Sequence, residues 1–293
     1  MPYPIIDALA GTWLMADGRI YDFNSELTEE LRKPVGHLMY YEVIRIADNT
    51  PLFWDDHMDR LRGSIGGSFE LRGDLLSESK QLLERHLSIG SELEGLNLRI
   101  VVTPEIRVIH LIPSYYPDLE QLGQGVSTLI IDWERDKPNV KVIKPDYKAA
   151  VAHGFARRSI FGSPFELLLA DKQGYLTEGS RSNLFFIRGD EVLSAPDNRI
   201  LLGVTRKYVM QAIERAGAKM VVEMITAQDL ANEAIDAAFL SGSPIDLLPI
   251  SSIDDIPLTS ANNELFMRVN QEYHAIMLEW IDSHRQYRAI GPE

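Results

Sequence analysis

The 293 residues contain no cysteine. Disulfides, thiolate nucleophiles, zinc ribbons and iron–sulfur clusters are therefore excluded. Long apolar runs are also missing, so no transmembrane helix is expected. The opening residues, MPYPIIDALAGTW, carry no basic segment ahead of an apolar one. They do not read as a signal peptide, and a cytoplasmic protein is expected. Positive charge is scarce: 29 Lys and Arg face 43 Asp and Glu, a net charge of −14. Such a surface repels phosphate backbones, so no nucleic-acid partner is expected. The seven histidines, His37, His57, His86, His110, His153, His274 and His284, include no i, i+4 pair beside a carboxylate. No zinc motif results, and no metal is expected. The G-x-S-x-G elbow and the G-x-x-x-x-G-K-[ST] phosphate loop are absent, and Gly123-Gln124-Gly125 does not follow a strand in a dinucleotide-binding pattern.

Hydrophobic residues reach 45%, enough for a sizeable core, and the length suits two domains. Residues 1–115 read as a small α+β domain. LMYYEVIRI (38–46) is a strand, Asp48-Asn49-Thr50-Pro51 a hairpin turn, and Leu52-Phe53-Trp54 its short return. Asp55 or Asp56 can cap the next helix, whose face is Met58, Leu61 and Ile65 and whose end is Gly66-Gly67. A second helix follows from Ser77, then strands 97–103 and 106–112. Residues 116–140 read as a connection holding one strand, VSTLIID. Residues 141–293 alternate strands with helices at 146–160, 205–216 and 227–233, and close with a helix over 260–285. This is a larger α/β domain.

Three patterns carry chemistry. In LGVTRK (202–207) a glycine and a threonine stand where an apolar segment feeds a helix. Helix N–H groups, the dipole and the Thr205 hydroxyl could hold a phosphate; the alternative is an ordinary threonine cap. In TEGSRSN (177–183) short polar residues could aim Glu178 into a pocket; the alternative is a turn with an exposed glutamate. Lys144 ends the apolar strand KVI and could be a desolvated, nucleophilic amine; the alternative is a snorkelling surface lysine, with Lys141 and Lys148 as competitors. A lysine amine, a carboxylate and a phosphate cradle are together what pyridoxal phosphate needs: partners for its aldehyde, ring nitrogen and phosphate.

The stretches YYEVIRIADNTPLFWDDHMDRLRGS, FELLLADKQGYLTEGSRSNLFFIRGDEVLSAP, LLGVTRKYVMQAIERAG and AAFLSGSPIDLLPI occur in this order. Over about residues 38–255 the sequence resembles the fold-type IV pyridoxal-phosphate enzymes, which include branched-chain and D-amino acid aminotransferases and aminodeoxychorismate lyases. The resemblance implies a two-lobed α+β and α/β fold, a homodimer and pyridoxal 5'-phosphate as cofactor. It implies amino-group transfer between an amino acid and a 2-oxo acid. A lyase, or a non-catalytic ligand-binding relative, stands as the alternative. By the same resemblance Lys144 is the Schiff-base lysine, 34 residues before Glu178, and Glu178 pairs with the pyridine nitrogen. Arg60, Val204 and Thr205 serve the cofactor phosphate, and Ser243, in the loop beside the substrate carboxylate, is cofactor-binding. Tyr41 and Pro244 border the substrate. Arg45 and Arg99 are candidate partners for the substrate carboxylate; the alternative for either is a surface ion pair. The sequence departs from the family pattern in three places. KPDYK replaces the usual asparagine context after the lysine, and Val43 stands where branched-chain enzymes have glycine. Arg107 and His110 are three apart, not two, and so point to opposite faces of a strand.

Overall fold

A computed structural model describes residues 4–5, 9–36, 38–114, 116–142, 145–232 and 234–291. The chain divides into two units. One comprises Met1–Tyr116, Val140–Pro145 and Met277–Glu293, the other Pro117–Asn139 and Asp146–Ile276.

In the first unit the order is β1 (Ala10–Ala16), β2 (Arg19–Asp22), α1 (Glu26–Leu31), β3 (Tyr40–Ala47), β4 (Thr50–Pro51), α2 (Trp54–Ile65), α3 (Leu75–Leu87), β5 (Leu96–Val102) and β6 (Arg107–Pro113). The strands make one antiparallel sheet, β2-β1-β6-β5-β3-β4. β3 shows the period of two: Tyr40, Glu42, Ile44 and Ile46 are buried while Tyr41, Val43 and Arg45 are half-buried. Met58, Leu61 and Ile65 of α2 are buried, as their spacing predicts. Each contributes about 1.5–3 kcal/mol. Neither Asp55 nor Asp56 caps α2. The cap is Phe53, left-handed at φ 54 and without a side-chain hydrogen bond. Its ring is buried edge-on against Trp280, with centroids 5.4 Å apart, so packing rather than a polar cap fixes the turn. Gly66, at φ 56, ends the helix where the glycine pair predicts.

The second unit holds α4 (Leu119–Gln124), β7 (Val126–Asp132), α5 (Pro145–Phe155), β8 (Glu166–Ala170), β9 (Tyr175–Gly179), β10 (Asn183–Arg188), β11 (Glu191–Ser194), α6 (Val204–Arg215), β12 (Lys219–Val222), β13 (Ile225–Thr226), α7 (Ala227–Ala231), β14 (Ala237–Gly242), β15 (Asp246–Ile253) and β16 (Ile256–Pro257). Nine strands follow the path β12-β11-β10-β14-β15-β7-β8-β9-β13, and β16 pairs with β15. The sheet is mixed: β7 lies parallel to β15 and to β8. One face buries Leu168, Ala170, Leu184, Phe186, Leu240 and Leu248 in a common core. Leu129, Leu167 and Leu169 form another core that includes Tyr147 and Val151 of α5. The last helix, α8 (Glu264–Ser283), begins in this unit and ends in the first.

The units do not follow the expected boundaries. The expected connection, 116–140, lies almost wholly in the second unit because β7 is a central strand of its sheet. Of the expected strand 141–144, Val142 bridges Tyr40, and Ile143 and Lys144 lie outside the described residues. The helix expected at 227–233 stops at Ala231, and Glu233 is likewise outside. The C-terminal residues belong to the first unit through polar contacts. Tyr287 donates its hydroxyl to Asp55 Oδ2 at 2.7 Å, and the Ala289 N–H reaches the Asn49 carbonyl at 3.0 Å. Tyr287→Phe removes the first of these. It should lower the stability of the first unit by ~0.5–1.5 kcal/mol, read as a lower urea midpoint at unchanged slope; an unchanged midpoint would show that the tail is not clamped there.

Candidate active site

Glu178 lies in β9, where the β8–β9 pairing slips: Gly179 faces Leu168 but Leu176 faces Ala170. One extra residue in β9 makes this a β-bulge, which breaks the period of two between Leu176 and Glu178. Leu176 enters the core, while the Glu178 carboxylate meets Arg135, whose Nε lies 2.7 Å from Oε1. This ion pair is off the hydrogen-bond line, and among the described residues Oε1 accepts no hydrogen bond. Oε2 accepts from the Leu201 N–H at 3.0 Å. Glu178 is only 2% exposed, which excludes an exposed turn glutamate. Burial pushes its carboxyl up to about 7, reinforced by Glu166 and opposed by Arg135 and the Leu201 N–H. Tyr147 of α5 donates to the Ser180 carbonyl at 2.6 Å, and Arg135 reaches the same oxygen at 3.3 Å.

The start of α6 is built around Gly203, which caps the helix without a side-chain bond. Thr205 is inside the first turn and buried, so it is not the cap; its Oγ1 lies 3.5 Å from Ser243 Oγ. A Cβ on Gly203 would sit 2.1 Å from Asn183 Oδ1. The Asn183 amide in turn donates to the Leu201 carbonyl at 2.8 Å. The first N–H groups of a helix lack intrahelical acceptors, so this turn suits an anion. Ser243 and Pro244 occupy the tight loop between β14 and β15, closed by an Ile245 N–H to Gly242 carbonyl bond of 2.9 Å.

The first unit holds a second charged cluster. Arg60 Nε donates to Glu42 Oε1 at 2.9 Å and its Nη2 bonds Oε2. His57 Nδ1 lies 2.7 Å from Oε2. Burial alone would raise Glu42, but Arg60, with Lys141 and His57, holds it well below the usual carboxylate range. Burial lowers His57, so the ring is neutral and donates its Nδ1–H. On the neighbouring strand Arg99 is 3% exposed, and its guanidinium lies 4.8 Å from the centre of the Tyr41 ring. Lys141 Nζ is 5.2 Å from the same ring. Burial brings Arg99 down to about 10 and His110, its cross-strand partner, down to about 3. Arg107 faces the other way and pairs with Glu78 and Asp17.

Glu178, Thr205 and Ser243 thus lie in one unit, and Arg60, Tyr41 and Arg99 in the other. Arg45 lies over the Tyr116 ring at 4.4 Å. Lys148 is exposed on α5. Sequence reasoning did not assign roles to Arg135, Tyr147, Asn183 or Glu166. Asn183 and the serines were visible in TEGSRSN; Arg135 was hidden in a segment read as a loop. Among the described residues no group of His, Asp and Glu could hold a metal, and no helix is long and apolar enough to cross a membrane.

The mixed-sheet unit thus sets a buried, under-solvated carboxylate beside a glycine-started helix. The family model for amino-transferase class IV matches residues 39–253, and the chain belongs to that family: it is an aminotransferase. It is 27% identical to a D-alanine aminotransferase of Bacillus licheniformis, over 73% of this chain and 78% of that one. It is 26% identical to a putative branched-chain-amino-acid aminotransferase of Methanocaldococcus jannaschii, over 82% and 87%. The fold is that of the branched-chain amino acid aminotransferase of Escherichia coli, with a TM-score of 0.73, 19% identity, and 92% and 95% of the chains covered.

The Glu178 environment predicts a pH signature in the cofactor-free protein. In the unfolded chain this carboxyl ionises near 4.5, in the folded one at about 7. Between these values the folded state keeps a proton that the unfolded state has lost, so stability falls as pH rises. The loss should total ~3 kcal/mol. Relative to Glu178→Gln, wild type should weaken steadily between pH 4.5 and 7 in denaturant titrations; parallel curves for the two proteins would contradict the assignment.

Proposed function

We propose that this aminotransferase binds pyridoxal 5'-phosphate and exchanges an amino group between an amino acid and a 2-oxo acid. The observation that carries the reading is the Glu178 carboxylate: buried, pushed up by burial, and with one oxygen that among the described residues meets only the off-line Arg135 guanidinium. A ring N–H cation is the kind of donor that such an oxygen lacks. When bound, the cofactor supplies an aldehyde that captures the amine and a ring that accepts electrons.

The chain's own groups do the rest. Glu178 holds the ring nitrogen protonated, and Arg135 orients the carboxylate. The N–H groups of Val204 and Thr205, the Thr205 hydroxyl and Ser243 bind phosphate oxygens. Arg60 adds a guanidinium whose direction Glu42 and His57 fix. Lys144 would be the amine that holds the cofactor's aldehyde and the group that moves the proton of the substrate α-carbon. Arg99 and Arg45, with Tyr41 and Pro244, receive the substrate; a carboxylate beside Arg99 would offset the cost of burying that guanidinium. A homodimer belongs to the same proposal, and sedimentation at working concentration tests it. A monomer with full activity would refute it.

Borohydride reduction of the cofactor-loaded protein, followed by peptide mapping, identifies the amine. Lys144→Ala should abolish the trapped adduct and all turnover, whereas Lys148→Ala should keep the adduct; a trapped peptide carrying Lys148 would reverse the assignment. Glu178→Gln should still be trapped but lose on the order of 10²-fold or more in rate. Amino-donor-dependent loss of the visible band, with a 2-oxo acid restoring it, distinguishes transfer from elimination.

A further inference from the structure

Glu166 is a second buried glutamate beside Glu178, and no role assigned above uses it. It stands at the start of β8, 1% exposed. Its oxygens are saturated. Oε1 accepts from the Leu167 N–H at 2.8 Å and the Ser180 hydroxyl at 2.5 Å. Oε2 accepts from the Arg181 N–H at 3.2 Å and the Ser182 hydroxyl at 3.0 Å. The Arg181 guanidinium is half exposed, with Nε 3.7 Å away. Three of the four hydrogen bonds therefore come from the turn that follows Glu178.

That turn links both halves of the cofactor machinery in this unit. At its start is Gly179, whose N–H donates to the Ser182 carbonyl at 2.8 Å. A Cβ on Gly179 would lie 2.1 Å from Ser182 Oγ and 3.2 Å from Glu166 Cγ, so the hydroxyl reaches Glu166 through space that only glycine leaves. The Ser180 carbonyl receives Tyr147 and Arg135, and Arg135 is the cation beside Glu178. At its end Asn183 binds the Leu201 carbonyl and fills the space beside Gly203, and the Leu201 N–H bonds Glu178.

We propose that Glu166 is a positioning residue of the cofactor site: its carboxylate sets the 179–182 turn and so aims Glu178 and the Leu201–Gly203 segment together. This rests on the assignment of Glu178 to the ring nitrogen. Glu166 touches neither cofactor nor substrate; it acts through four donors that no neutral side chain can satisfy at once. A glutamine there turns an NH2 group toward two donors, and the backbone N–H groups of Leu167 and Arg181 cannot reverse.

The test compares Glu166→Gln, Glu178→Gln and the double variant, each loaded with pyridoxal 5'-phosphate. The readouts are the cofactor dissociation constant and the pH midpoint of its visible absorbance. Glu166→Gln should weaken cofactor binding roughly 10-fold or more. It should move the pH midpoint in the same direction as Glu178→Gln, and the double variant should move it no further, since one acts through the other. If Glu178→Gln moves the midpoint while Glu166→Gln lowers only the urea midpoint, Glu166 is a fold residue and the proposal fails. If neither variant moves it, the Glu178 assignment fails and takes this proposal with it. Should Glu166→Gln not fold, the Ser180→Ala, Ser182→Ala pair removes two of the four donors and should shift the midpoint in the same direction by less; no shift would overturn the proposal.

Discussion

An ionised carboxylate taken out of water loses several kcal/mol of solvation unless charge or hydrogen bonds replace the solvent. Glu42, Glu166 and Glu178 all face that constraint at 2% exposure or less, and each meets it differently. Glu42 is compensated by charge, with a guanidinium fork and an imidazole on its two oxygens. Glu166 is compensated by four neutral donors. Glu178 has one N–H donor and one off-line guanidinium, which is too little, so its carboxyl rises to about 7. A buried carboxyl left short of partners and shifted by burial is a candidate for a ligand. Within the same unit Glu166 accepts three of its four hydrogen bonds from the turn that follows Glu178.

Much of this was legible in the sequence, and the limits follow from what periodicity encodes. The period of two in YYEVIRIA and the spacing of Met58, Leu61 and Ile65 are local, and both elements form as they dictate. The 97–103 and 106–112 strands and their tight turn are local too. The cap of α2 was not, because Phe53 adopts its left-handed backbone through contact with Trp280, more than 200 residues away. The same holds for β7: its residues read as a strand, but only its parallel partners, β8 and β15, make it central rather than connecting.

For the site, residue types in TEGSRSN announced a constrained carboxylate, yet the cause of the constraint was not in the motif. The bulge that redirects Glu178 depends on register with β8, and Glu166 lies twelve residues upstream, next to LLLA, where an acidic residue reads as a strand edge. Arg135 sits in ERDKPN, whose Pro and Asp content truthfully reports irregular backbone but says nothing of where a side chain ends. Lys144 is the reverse case, a residue argued only from the sequence, by its place after Val142-Ile143 and its spacing from Glu178.

The seven residues from Thr177 to Asn183 gain their specificity from crowding rather than from any one group. Thr177 ties its hydroxyl to the Leu169 carbonyl at 3.1 Å beside the bulge. Gly179 leaves room for Ser182, Ser180 and Ser182 bind Glu166, and Asn183 fills the space that Gly203 leaves. Two glycines, Gly179 and Gly203, thus mark the two places where a polar side chain passes close to backbone. Any side chain added at either glycine meets a hydrogen-bonded oxygen or its amide about 2 Å away. The turn must then open, and one movement would displace both the carboxylate at its start and the helix start that its end supports. The carboxylate and the start of α6 are therefore one mechanical unit, even though 25 residues separate Glu178 from Gly203.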